Sequence, residues 1–255
     1  FHRLALFHED LHAEAFAMLA QTLGFDAGLL PRLPTAASRE PLLFPATRWR
    51  LGSDAAGFAF DNERAAHDVA VPEFEIDAQA IGWAQFCEFV EDGGYDEPLH
   101  WSRDGWLWAQ GAAQSTPRHV APMRQGVLQH RFGKLVRVPM AQPAMHVNWY
   151  EADAWCRWAG RRLPSEVEWE AAAHQGATRG LRFGDVWEWT ATTFRPYPGF
   201  EPGPWRDCSE PAFGACKVLR GASFATCERI RHPKFRNFQR PERDDLFCGF
   251  RSCAA

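Results

Sequence analysis

Lysine is nearly absent from this chain. Of 28 basic residues only Lys134, Lys217 and Lys234 are lysines, and no run of basic residues forms a patch. With a formal net charge of −4 at pH 7, this excludes nucleic acid or an anionic membrane surface as the main partner. No apolar run reaches the roughly 18 residues that a spanning helix requires. A CxxC pair is missing too. The seven cysteines, Cys87, Cys156, Cys208, Cys216, Cys227, Cys248 and Cys253, are odd in number and irregular in spacing, which fits neither a disulfide framework nor a zinc site. The opening FHRLALFHEDLH (residues 1–12) has no basic segment leading into an apolar core and a small-residue cleavage site. A cytoplasmic protein with free thiols is expected.

What is present is apolar and aromatic. Of 255 residues, 46% are hydrophobic, with 12 Trp and 20 Phe, enough for a packed core and inconsistent with a disordered chain. Residues 4–23 place Leu4, Phe7, Leu11, Ala15, Met18 and Leu19 near helical period, with Gly24 as a stop. Four prolines between residues 26 and 50 mark a crossing segment. A second unit opens near Trp49. In it, residues 69–76 read as a strand and residues 81–91 and 150–159 as helices. A third helix over 165–173 starts at a capping box of Ser165 and Glu168. The expected class is α+β: a helix joined to a loop-rich domain.

Within the first helix, FHEDLHAEAF (residues 7–16) holds His8 and His12 four positions apart. At about 100° per residue the two imidazoles leave the same face, a spacing that can grip one metal ion but by itself more often belongs to two surface or capping histidines.

Several motifs in the second unit resemble the formylglycine-generating (sulfatase-modifying) superfamily. They are FAFDNE (58–63), EFVEDGGY (88–95), HVNWYEADAWCRWAGRRLPSEVEWEAAA (146–173), GDVWEWT (184–190), VLRGASFAT (218–226) and GFRSCA (249–254). The resemblance implies a C-type-lectin-like fold with much irregular backbone. The helix with His8 and His12, FRPYPGF (194–200) and the segment 233–251 narrow it to the ergothioneine-type sulfoxide synthases. Those are non-haem iron enzymes that join a DinB-like helical bundle to the lectin-like domain. By this resemblance residues 1–25 are the last helix of such a bundle, 26–48 a linker and 49–255 the lectin-like domain. Fe(II) is the implied cofactor, with His8 and His12 as ligands, Glu14 beside them, and a third histidine on an earlier helix preceding Phe1.

The resemblance also implies a substrate site. Formylglycine generation itself needs two cysteines where Thr226 and Arg231 stand, so that activity is not expected. Asn237 and Phe238 would face hercynine, whose trimethylammonium suits an aromatic face and an amide oxygen. Gln239 stands where members using γ-glutamylcysteine carry an acid, and Asp244 where they carry a base. Gln239 and Asp244 therefore disfavour a zwitterionic thiol and suit a hydroxyl-rich donor, with Arg243 orienting the donor or anchoring its loop. Trp205 takes the place of the family's catalytic tyrosine and lacks its phenolic proton. The pattern is most similar to the selenoneine synthase subgroup, which uses O₂ to join a selenosugar to hercynine. The alternatives are a hercynine sulfoxide synthase with a thiol donor and a non-catalytic lectin-like binding module. A monomer or homodimer is expected. The motif tryptophans (Trp149, Trp155, Trp158, Trp169, Trp187, Trp189) read as core, and Asp61, Asn62, Glu63 and Glu188 as turn-holding residues without calcium.

Overall fold

A computed structural model describes residues 1–26, 28, 39–54, 57–121, 126–205 and 207–255. Part of the crossing segment, residues 27 and 29–38, lies outside the described residues. Helix α1 (His2–Leu23) ends as its sequence dictates, with Gly24 in the left-handed conformation at φ 67°. Five residues read as linker nevertheless belong to strands. Leu42–Phe44 form β1, which pairs antiparallel with β4 (Phe74–Ile76), and Thr47 opens β2 (Thr47–Leu51) against β3 (His67–Val71). Pro41 and Pro45 flank β1, which lies at a sheet edge, where a residue without an N–H costs least.

Two four-stranded sheets carry the fold. One runs β1-β4-β12-β7 (β7 Arg161–Arg162, β12 Cys253–Ala254). The other runs β10-β9-β8-β11, with β8 (Trp187–Thr193) and β9 (Lys217–Gly221) inside, and β10 (Asn237–Gln239) and β11 (Cys248–Phe250) outside. The run 69–76 is two strands because Pro72-Glu73 interrupts it. A further hairpin, β5 (Val127–Arg131) with β6 (Lys134–Val138), turns at Phe132-Gly133.

Helices α2 (Trp83–Glu91), α4 (Trp149–Trp158) and α5 (Glu166–Gly176) cover the sheets. Each starts within two residues of its expected position, and Ser165 Oγ caps α5 with Glu168 reaching back to the Ser165 N–H. Helix α3 (Arg103–Ala112) was not legible, since its glycine and its exposed face blur the periodicity; Ser102 caps it. Trp155, Trp169, Trp187 and Trp189 are buried, whereas Trp149 and Trp158 are half-buried at the core's margin.

Charges are buried between the sheets and α5 as closed pairs. Arg220 meets Glu170 at 2.7 Å, Arg236 grips Glu166 with two 2.8 Å bonds, and Arg251 closes on Glu188. Each cation meets hydrogen-bonding partners, the condition for burying charge. Asp61 and Glu63 are spent likewise: Asp61 accepts from Ser209 at 2.6 Å and Glu63 from the Phe60 N–H at 2.8 Å.

Candidate functional site

Helix α1 meets the domain through a stripe that is half apolar and half polar. Leu4, Phe7, Leu11 and Met18 pack on the main core, while Asp10, Glu14, Ala17 and Gln21 are buried beside them. Ala15 and Leu19, which the periodicity placed on the same stripe, are exposed. Polar partners select the face. Arg229 donates two 2.8 Å bonds to Asp10. Gln21 donates to the His130 carbonyl and accepts from the Phe132 N–H, both at 2.8 Å.

Glu14 is the centre of this docking. Its carboxylate accepts from Trp187 Nε1 at 2.8 Å, from Thr226 Oγ1 at 2.8 Å, and from Ser223 Oγ. Burial pushes its pKa up, opposed by these three hydrogen bonds. Two positions from His12, Glu14 leaves the face that the histidines share, and its oxygens bond the β-domain rather than an imidazole or solvent. Thr226, which stands where a formylglycine-type cysteine would be expected, serves the same contact.

His8 and His12 do converge. Their Nε2 atoms lie 3.0 Å apart, one N–H donating to the other ring. Two metal–imidazole bonds of about 2.1 Å meeting near a right angle place their nitrogens about 3 Å apart. The pair thus fits two adjacent positions on one ion. Among the described residues no group of three His, Cys, Asp or Glu side chains gathers into a metal site. The indole of Trp205 lies 4.3 Å from the His8 ring, tilted by 60°.

Trp205 also walls a cavity of about 380 Å³ between α1 and the sheet edge. Leu11, Glu14 and Met18 line it from the helix; Asn237, Phe238, Gln239 and Arg243 line it from β10 and the following loop. Residues 237–239 reach this place because β10 pairs antiparallel with β9 at the edge of the sheet. Four of the five residues expected to bind substrate thus line one cavity; His8 and His12 do not line it, and Trp205, which does, connects it to the His8 ring. Phe235 and Leu246, which also line it, carry no sequence signal separating them from core residues.

Asn237 and Asp244 are oriented differently from the expectation, whereas Phe238 keeps to the cavity. Asn237 Oδ1 accepts from the Phe238 N–H at 2.8 Å, so its amide oxygen is turned to the backbone. Phe238 both lines the cavity and stacks on the buried Phe194, with ring centroids 4.0 Å apart and planes at 11°. Asp244 does not line the cavity. It pairs with Arg118 at 2.9 Å, and its carbonyl accepts from His146 Nδ1.

Arg243 closes on its own loop, as one of its two expected roles required, but through Asp245. Its Nε and Nη2 donate to the two Asp245 oxygens at 2.8 and 2.6 Å, and Nη1 donates to Gln239 Oε1 at 2.8 Å. Burial disfavours an ionised Asp245, yet the bonds and charge of Arg243 hold its pKa below the ordinary value. Arg243 and Asp245 thus compensate each other's charge at this end of the cavity, and Asp244 spends its charge on Arg118 away from it.

Comparison with known proteins places this geometry. The model of the sulfatase-modifying factor enzyme 1-like domain matches residues 27–183 and 182–255. The hercynine oxygenase of Mycolicibacterium smegmatis is similar at 33% identity over 305 aligned residues, covering 97% of this chain and 70% of that protein. The hercynine oxygenase of Mycobacterium tuberculosis is 35% identical over 246 residues, covering 79% of this chain and 57% of that protein. In structure, PvdO from Pseudomonas aeruginosa aligns with a TM-score of 0.52 at 18% identity, covering 84% of this chain and 93% of that one, a likeness of fold alone.

Proposed function

The chain belongs to the sulfatase-modifying factor enzyme 1-like family, and from that premise we propose that it is an oxidoreductase using Fe(II) and O₂ to bond selenium from a selenosugar to the imidazole ring of hercynine. Its similarity to two hercynine oxygenases supports the hercynine half of this reading. The observation that carries it is the cavity itself, which sets Asn237, Phe238, Gln239 and Arg243 opposite the helix bearing His8 and His12.

His8 and His12 would hold the iron, which supplies the oxidising chemistry with O₂ that these side chains lack. The electron count closes on one O₂. Breaking the ring C–H and the Se–H bond to make C–Se releases two electrons, and oxygenating selenium takes two more. One oxygen atom stays on selenium and the other leaves as water. The chain's own residues bind and orient. Phe238, held flat on Phe194, offers a ring face to the trimethylammonium group. Leu11, Met18, Phe235 and Leu246 exclude water from the reacting groups. The compensated pair Arg243–Asp245 offers no unpaired charge to a zwitterionic thiol. Trp205 contributes packing against His8 rather than a proton.

The test is a parallel incubation of the protein, Fe(II), O₂ and hercynine with a selenosugar, γ-glutamylcysteine or cysteine, followed by mass spectrometry. The selenosugar adduct is expected to dominate. A preference for γ-glutamylcysteine overturns the selenium donor and keeps the hercynine chemistry, whereas no adduct with any donor from iron-loaded protein overturns the enzymatic reading.

A further inference from the structure

The orientation of Gln239 carries more than its position. A guanidinium has donors only, so the Gln239 atom 2.8 Å from Arg243 Nη1 is the carboxamide oxygen, and the NH₂ is turned the other way. Among the described residues no acceptor meets that NH₂, although Gln239 lines the cavity. Arg243 is itself fixed. Asp245 holds its other edge through two bonds, a planar fork that leaves the guanidinium little freedom. On the far side of the loop, Arg118 and His146 pin Asp244, so the segment is tied at adjacent residues.

We propose that Asp245 and Arg243 are positioning residues that hold Gln239 with its NH₂ toward the cavity, creating an uncharged, donor-only subsite. That subsite takes an acceptor oxygen of the chalcogen-bearing substrate, such as the acetamido carbonyl of an N-acetylated sugar, and rejects an ammonium group at the same place. This rests on the donor reading above and deepens it: Gln239 donates to the sugar. An ammonium facing the NH₂ would meet two donors and lose its own hydration without replacement, the arrangement by which a site rejects a near-isostere.

Steady-state kinetics on the full chain with Fe(II), O₂ and hercynine test this with two probes, 1-thio-N-acetylglucosamine and 1-thioglucosamine, whose amine is protonated at neutral pH. The wild type is expected to favour the acetylated probe. Arg243→Met should raise KM for it about tenfold, the worth of one hydrogen bond, with kcat and the KM for hercynine within about twofold. Gln239→Glu keeps the oxygen that Arg243 holds and replaces the NH₂ by an acceptor. It should narrow the preference between the two probes by about tenfold while leaving the melting temperature in place, which loss of a merely structural glutamine would not do. Turnover of the sugar probes with the ratio unmoved in Gln239→Glu, or with KM unmoved in Arg243→Met, overturns the relay alone. Turnover of γ-glutamylcysteine with neither sugar accepted overturns the donor reading and the relay together.

Discussion

Trp187 donates its indole N–H to Glu14 across 2.8 Å, tying the inner strand β8 to helix α1, a link of 173 residues along the chain. The carboxylate is buried and also receives Ser223 and Thr226. Removing it strands three buried donors and opens a gap. Glu14→Ala is expected to lower unfolding stability by about 2–4 kcal/mol in urea titration. Glu14→Gln, which retains one acceptor oxygen, should cost less than half as much. Equal costs would show that the charge, and not the acceptor geometry, holds the helix.

A second anchor is steric. Gly24, at the end of α1, and Gly133, in the β5–β6 turn, touch so closely that a Cβ on Gly133 would lie 2.2 Å from the Gly24 carbonyl oxygen, at φ +77°. Gly133→Ala combines left-handed strain with a backbone clash and should cost about 2–4 kcal/mol. Gly93, at φ +79° with nothing within 4 Å of its Cβ, supplies the comparison. Gly93→Ala should cost only the strain, about 1 kcal/mol.

The imidazole pair makes a prediction about metal. Protein loaded with Fe(II) without oxygen should lose at least tenfold in iron affinity on His8→Ala and on His12→Ala alike. Both histidines border solvent, so unfolding stability should move by less than about 0.5 kcal/mol. Undiminished iron in either variant would falsify the assignment of these ligands.

Acid should weaken the fold through His119 and His146, whose rings meet at 4.8 Å. Burial, then the charge of Arg118, lowers His119 to about 4; burial, then His119, lowers His146 to about 3. Both are depressed from 6.5, so the native state binds fewer protons than the unfolded chain. Their contribution is full above pH 6.5 and is lost as pH falls toward 4. Unfolding free energies from urea titrations between pH 7 and pH 4 should fall by on the order of 2–3 kcal/mol for His146 alone. His146→Asn, which tolerates the left-handed backbone at that position (φ 66°), should flatten the slope. An unchanged slope refutes the assignment.

The elements legible in the sequence are those with a local signal. Ser165 with Glu168, Gly24 after a periodic run, and the four-residue spacing of His8 and His12 are decided by neighbours within a few residues, and each forms as its spacing requires. Residues 237–243 were legible as a binding segment only through resemblance, because nothing in NFQRPER separates cavity-facing from core-facing side chains. β1 was hidden by its flanking prolines, whose cost vanishes at a sheet edge, and edges are a property of the assembled sheet.

By itself, then, the sequence determined the helices α1, α2, α4 and α5 but not α3, which family resemblance the motifs carry, and that two imidazoles share one face. Tertiary structure alone decided what the polar side chains do. Glu14, two positions from a histidine in sequence, is committed to Trp187, Ser223 and Thr226. Asp244 is committed to Arg118, and Arg243 to Asp245 and the Gln239 carboxamide oxygen. The reason is that a buried hydrogen-bonding group takes whichever partner the fold delivers within about 3 Å, and the sheets deliver partners from more than a hundred residues away.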